Sequence, residues 1–240
     1  MVGFRAERLA VVGLGLMGGS LALALRAHAA RIVGIDASAT AREFAVAQGI
    51  VDQATDDLRA GVKDADTVIL CAPVGVVIDL LHNRIGSYLR SNTLLIDIGS
   101  TKQDICEAMG RLPIGIQAIG GHPMTGKEVS GIENADPALY RGRPFVLCPT
   151  RRTTPATRLR ALGLLAALEA VPIEMDALHH DRTVAAISHV PYLLSAALVA
   201  TVRAESRGDP DADVWRLAAG GFRDTSRLAG SDIRMMSDII

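Results

Sequence analysis

Two kinds of pattern in this 240-residue sequence carry chemistry. The first is Gly13-Leu14-Gly15-Leu16-Met17-Gly18, a G-x-G-x-x-G turn followed by Asp36 about 20 residues on. In such a turn the first glycine permits a tight bend and the second, lacking a Cβ, lets a pyrophosphate approach the backbone. The third lets the following helix pack against the sheet. The helix start offers N–H groups and partial positive charge to phosphates. Asp36 suits the two hydroxyls of an adenosine ribose and its charge repels a 2′-phosphate, so the pattern predicts NAD over NADP; Arg42 nearby argues the other way. The second kind is a set of clusters that gather imidazoles, hydroxyls and cations: Asp97–Lys102 (DIGSTK), Gly120–Glu128 (GGHPMTGKE), Ser188–Pro191 (SHVP) and Gly221–Arg227 (GFRDTSR).

The elements that must position these residues follow from hydrophobic periodicity. Short apolar, β-branched runs at Leu9–Val12, Arg31–Ile35, Thr67–Ala72 and Thr93–Ile98 alternate with helical patterns at Leu16–Ala27, Ser38–Gln48, Val74–Leu81 and Lys102–Met109. Ile116–Ile119 and Phe145–Leu147 read as further strands, and Ser38 as a helix cap. Continuous apolar strands separated by helices indicate an α/β fold with a parallel sheet covered on both faces. Asp36, Ala72, Pro73 and the Asp97 cluster then fall at strand ends, where open α/β sheets bind ligands, and Ala72 and Pro73 are expected to touch the cofactor through the backbone. After Pro149 the pattern becomes mostly helical, with a short extended piece near Val171–Glu174 and a long apolar helix over Leu178–Arg203. The expected division is therefore a dinucleotide-binding domain over residues 1–150 and a helical domain over 151–240.

The motifs GLGLMGGS, GSTK, GGHPMTGKE, SHVP and GFRDTSR, in that order and spanning residues 11 to 232, resemble the prephenate/arogenate dehydrogenase family of tyrosine biosynthesis. The resemblance implies a Rossmann-type domain followed by an all-helical dimerisation domain. The reaction it implies is NAD-dependent oxidative decarboxylation of prephenate, or of arogenate, by a cytoplasmic homodimer. It gives His122 the role of accepting the substrate hydroxyl's proton while neutral, and Ser100 that of fixing the hydroxyl or His122. His189 is placed beside the substrate, Arg227 as a two-pronged carboxylate clamp, Glu128 as a pocket-lining gate, and Lys102 at the substrate, touching the cofactor or helping to position Ser100. Many prephenate-preferring members carry a histidine where this chain has Tyr192, so the choice between the two substrates stays open. Members also usually continue with more helix beyond the point where this sequence ends at Ile240, which marks it as a candidate fragment.

Composition narrows the alternatives. A formal net charge of -1, scattered arginines and 3% aromatic residues disfavour a nucleic-acid partner. Cys71, Cys106 and Cys148 show no CxxC spacing, which suits a reducing compartment. The apolar run 9–25 is broken by Gly13, Gly15, Gly18 and Gly19 at cofactor-turn spacing, against a signal peptide. Residues 184–202 match a bilayer span in length but contain Ser188, His189, Pro191 and Tyr192, and read as a helix buried in the protein or in a dimer. His179-His180-Asp181 reads as a polar helix start, since adjacent helical residues point apart, and no metal is expected. A β-hydroxyacid dehydrogenase would use a lysine in the helical domain, and residues 156–240 contain none. A non-catalytic NAD-binding sensor would need the glycine turn and Asp36 but not Ser100, His122 and Arg227 together.

Overall fold

The structure is a computed structural model that describes residues 3–127, 129–210 and 212–230. Eight strands, β1 (Ala6–Val12), β2 (Ala29–Ile35), β3 (Gln53–Thr55), β4 (Thr67–Leu70), β5 (Leu94–Asp97), β6 (Gln117–Pro123), β7 (Pro144–Pro149) and β8 (Val171–Glu174), form one sheet in the order β3-β2-β1-β4-β5-β6-β7-β8. Strands β1 to β6 run parallel, β7 is antiparallel to β6, and β8 is parallel to β7. The crossovers are α1 (Leu16–Ala24), α2 (Ala39–Ala47), α3 (Leu58–Val62), α4 (Val74–Asn83), α5 (Gln103–Gly110) and α6 (Pro155–Ala167). Every residue of β4 and β5 is buried, as a sheet covered on both faces requires. The reversal of strand order at β1/β4 creates the crevice where such sheets take ligands.

Local chemistry fixes the helix starts. Ser38 caps α2 by accepting from Ala41 N at 3.3 Å, as its sequence position suggests. Thr154 and Thr157 form a reciprocal capping box on α6, with Pro155 in the first turn. The short pair β3 and α3 carries too few apolar residues to be visible in the sequence; Asp57 caps α3 by accepting from Ala60 N at 3.1 Å.

The chain divides into two compact units after His180, not near residue 150. The reason is that α6 and β8, both beyond 150, belong to the sheet. Val171–Glu174 pairs with Pro144–Leu147. Arg160 of α6 is half-buried and donates to the carbonyls of Asn92 and Asp66, each at 2.8 Å, and to Gln117 Oε1 at 2.9 Å.

The second unit, from Asp181, is helical: α7 (Ala177–Val184, which contains the division), a π-helical turn at Ala185–His189, α8 (Val190–Glu205), α9 (Asp213–Arg216), α10 (Gly220–Ser226) and a 3-10 turn at Arg227–Gly230. Pro191 has no N–H for the carbonyl one turn back, and the wide turn stands directly before it. α8 packs on α10 and on the 3-10 turn, where buried Ser195 Oγ accepts from Ala229 N at 2.9 Å. Among the described residues, the apolar helical stretch Ala177–Glu205 is largely exposed: 17% of its most apolar window is buried, and Ile187, Val190, Leu193 and Leu194 are exposed.

Candidate active site

The glycine turn sits at the carboxyl ends of β1 and β4, and each glycine has a separate cause. Gly13 adopts φ +99°, and a Cβ there would lie 2.5 Å from the Cys71 carbonyl oxygen, so this turn and the Cys71-Ala72-Pro73 strand end press together. A Cβ on Gly18 would fall 1.9 Å from the Gly13 carbonyl oxygen. A Cβ on Gly15, in contrast, would meet nothing within 4 Å. Gly15 is the N-cap of α1, whose first turn holds no acidic residue, so open space faces a helix start there. A pyrophosphate fits that cradle. Leu14 is buried beneath it and Leu16 and Met17 form the first helical residues.

Asp36 follows β2 directly. Its carboxylate accepts from Leu14 N at 2.7 Å and from Ser38 N at 2.8 Å, so it joins the turn to the end of β2. Arg42, the residue that argued for a 2′-phosphate, donates to the carbonyls of Asp36 and Ala37 at 2.7 and 2.9 Å and lies 3.5 Å from Asp56. Its guanidinium is thus engaged by three oxygens rather than aimed at an outside anion.

A buried ion pair organises the next two loops. Asp97 closes β5 and Lys102 precedes α5; both side chains are 0% exposed and their charged ends are in direct contact. Asp97 also accepts from Gly99 N at 2.8 Å and from Gly121 N at 3.1 Å. One carboxylate therefore fixes the loop that carries Ser100 and the strand that carries His122. Of the roles expected for Lys102, its burial against Asp97 fits the positioning of the Ser100 loop and not contact with the substrate, because an ammonium with no exposed surface does not meet a solvent-borne anion. Ser100 lies half-buried in the loop before α5. It is not the cap of α5, whose N-cap is Lys102 with no side-chain cap bond.

His122 lies within β6, a longer strand than its apolar run suggested, because antiparallel β7 extends the ladder through His122↔Val146 and Pro123↔Phe145. Its Nδ1 stands 2.8 Å from Nε2 of His180, which is 1% exposed, with the rings edge to face at 5.0 Å. Sequence reasoning missed His180 and Asp97. Asp97 stood in a cluster already singled out, and the signal for it was an acid and a lysine on one strand end; His180 lay in a run read only as a polar helix start.

The segment after His122 returns to the glycine turn. Tyr140, fully buried, donates its hydroxyl to the Met17 carbonyl at 2.7 Å, and burial pushes its ionisation well up. Ser20 Oγ accepts from Asp136 N at 2.9 Å. A Cβ on Gly19 would press on Ile132 and Ala135, which accounts for the second glycine of the Gly18-Gly19 pair. Glu128 lies outside the described residues. In the helical unit, His189 is buried at the end of the π-helical turn and Arg227 is exposed at the start of the 3-10 turn. Among the described residues no group of three or more His, Cys, Asp or Glu side chains is placed to hold a metal ion.

Residues 21–173 match the family model described as prephenate dehydrogenase, nucleotide-binding domain, and residues 176–240 match prephenate dehydrogenase, dimerization domain. The chain belongs to the prephenate dehydrogenase family. It is 35% identical over 237 residues to the prephenate dehydrogenase of Bacillus subtilis, covering 98% of this chain and 63% of that protein's length. Solved structures are similar as well. The Aquifex aeolicus prephenate dehydrogenase with hydroxyphenyl propionate and NAD+ has a TM-score of 0.86 and 31% identity, over 97% of this chain and 81% of that one. The Synechocystis arogenate dehydrogenase has a TM-score of 0.80 and 32% identity, over 97% and 82%. The family model begins at residue 21, beyond Gly13–Gly18, so the nucleotide turn stands on its own geometry.

Proposed function

We propose that this chain catalyses the NAD-dependent oxidative decarboxylation of prephenate to 4-hydroxyphenylpyruvate. The observation that carries this reading is the pairing of an open glycine cradle with His122 and Ser100 on one sheet, joined by the shared Asp97 carboxylate, in a chain of this family. Gly13, Gly15, Gly18 and the α1 N-terminus would hold the pyrophosphate, Asp36 the adenosine ribose, and Ala72 and Pro73 the wall beside it. Asp36 together with the engaged Arg42 favours NAD over NADP. The cofactor, when bound, accepts the hydride from the carbon that bears the hydroxyl. His122, neutral, takes the proton of that hydroxyl; Ser100 fixes its direction by a hydrogen bond. The ring carboxylate leaves as carbon dioxide and the ring becomes aromatic. Arg227 clamps a substrate carboxylate and His189 lines the substrate. Lys102 is left out of this set.

Arogenate is the second reading, favoured by the similarity to the Synechocystis enzyme and by Tyr192 in place of a histidine. We further infer a homodimer, because residues 176–240 match a dimerization domain and the apolar side chains of Ala177–Glu205 are largely exposed among the described residues, and a cytoplasmic location, because the three cysteines show no CxxC spacing. The deciding experiment follows reduced-cofactor formation from NAD with prephenate and arogenate in parallel. Turnover with either supports the reaction class, and the ratio identifies the substrate. NAD binding without turnover on either would favour a sensor.

A further inference from the structure

We propose that His180 is a positioning residue that holds His122 in the tautomer protonated at Nδ1, so that Nε2 is the atom that accepts the substrate's hydroxyl proton. The proposal rests on the reading of His122 as the base and adds a residue to that site.

The geometry begins in the sheet. In the antiparallel β6/β7 pair, Gly120 and His122 stand opposite Cys148 and Val146, so these four positions share one face. Met175 and Ala177 pack onto the cluster of Cys106, Val146 and Cys148 on that face. Met175 N donates to Leu147 O at 3.1 Å, which carries the chain from β8 across β7. Asp176 then caps α7, accepting from Leu178 N at 2.9 Å and His179 N at 3.1 Å, and His180 N closes the first turn on Asp176 O at 2.9 Å. The imidazole of His180 is thereby delivered, almost wholly buried, to His122 Nδ1 at 2.8 Å.

A hydrogen bond between two ring nitrogens needs one donor and one acceptor. A neutral His122 can accept at Nε2 only if its single proton is on Nδ1. It then donates to His180 Nε2, and His180 carries its own proton on Nδ1. The reverse arrangement, with His180 donating, would place the His122 proton on Nε2 and make it a donor where the reaction needs an acceptor. When His122 gains the hydroxyl proton it holds one on each nitrogen, and the Nδ1–H···Nε2 bond becomes charge-assisted. His180 thus orients the base and stabilises its protonated form, without meeting the substrate. The other ionisable groups on the elements packed here are Asp97 with Lys102 at the β5 end, Asp104, Cys106 and Glu107 on α5, Cys148 on β7, Glu174 on β8, Asp176 before α7, and His179, Asp181 and Arg182 on α7. The 2.8 Å contact leaves no room between the rings for any of them.

Two measurements test this. In the 15N ring spectrum of the histidine-labelled protein, the neutral His122, identified by the resonances lost in His122→Asn, is expected to be protonated at Nδ1; protonation at Nε2 would overturn the proposal. The spectrum requires no variant at position 180 to fold. In kinetics, His180→Leu is expected to lower kcat by about ten- to a hundredfold. It should also move the acid limb of the pH profile down by about one unit, because the protonated base has lost its acceptor. His180→Gln, whose amide oxygen can accept but not titrate, should restore kcat to within about fivefold. A purely structural role would lower kcat without moving the limb, and that result, or a glutamine variant no better than leucine, sinks the proposal. Turnover surviving in His122→Asn would instead remove the base assignment, and the positioning role with it. An inactive His122→Asn beside a His180→Leu variant of wild-type kcat and acid limb would remove the positioning role alone.

Discussion

Gly15 and Gly18 lie three positions apart and face opposite constraints. Gly15→Ala places its methyl in open space, so the fold should keep its Tm while dinucleotide affinity falls at least tenfold by titration. Gly18→Ala drives a methyl into the Gly13 carbonyl and should lower the Tm itself, measured without ligand. Equal thermal effects of the two would contradict the assigned division of labour. Lys102→Met leaves the Asp97 carboxylate buried without its counter-charge; a loss of about 3–5 kcal/mol in urea unfolding is expected. A loss under about 1 kcal/mol would mean that the two backbone N–H groups alone suffice for Asp97. The glycine turn was legible in the sequence because its constraints are local and covalent. His180 was overlooked because its partner is brought close only by the fold: His122 and His180 stand 58 residues apart in the chain. Lys102 and Asp97 are five residues apart, and what the sequence leaves open there is their burial, which only the packed sheet decides.

Among the elements, β4 and β5 were readable because strands buried on both faces become unbroken apolar runs. β3, three residues long and partly exposed, leaves no such trace. The start of β2 is held by charge as well as by ladder bonds. Asp52 accepts from Arg26 Nη1 at 2.7 Å and from Ile32 N at 2.6 Å, and the Arg26 hydrogen bond, helped by Ile32 and opposed by partial burial, holds its carboxyl below the ordinary range. The ionised form is therefore favoured by folding. Its contribution is fully present above the ordinary aspartate pKa of about 3.9 and is lost as pH falls through the lowered folded value. Asp52→Asn should lower the Tm by about 2–4 °C at neutral pH and by less as the pH approaches the acid range. A difference that widens toward acid pH would reverse the sign argued here.

For the whole molecule, the sequence located two bodies but misplaced their division, because the change from alternating to helical pattern precedes the last strand of the sheet. Arg227, the proposed substrate clamp, belongs to the helical body. Arg227→Ala is expected to raise KM for the substrate about tenfold or more with affinity for NAD retained; an unchanged KM would exclude Arg227 from the clamp. The exposed Leu194, at 65%, is the natural probe of association, and Leu194→Glu should shift the sedimentation of the protein from dimer to monomer. A dimer that tolerates the charge would place the interface elsewhere. The π-helical turn at Ala185–His189 has a different kind of consequence, one of phase. A π turn closes i→i+5 and so holds one residue more than an α turn, an excess that is absorbed locally while α7 and α8 keep a common helical phase. Loss of that residue would leave an ordinary turn, with Ser195 still on Ala229, since both follow it in the chain, and the row of Leu193 and Leu194 unmoved. The part of this turn before His189 is therefore a place where one residue can be gained or lost without re-aiming the helix that follows.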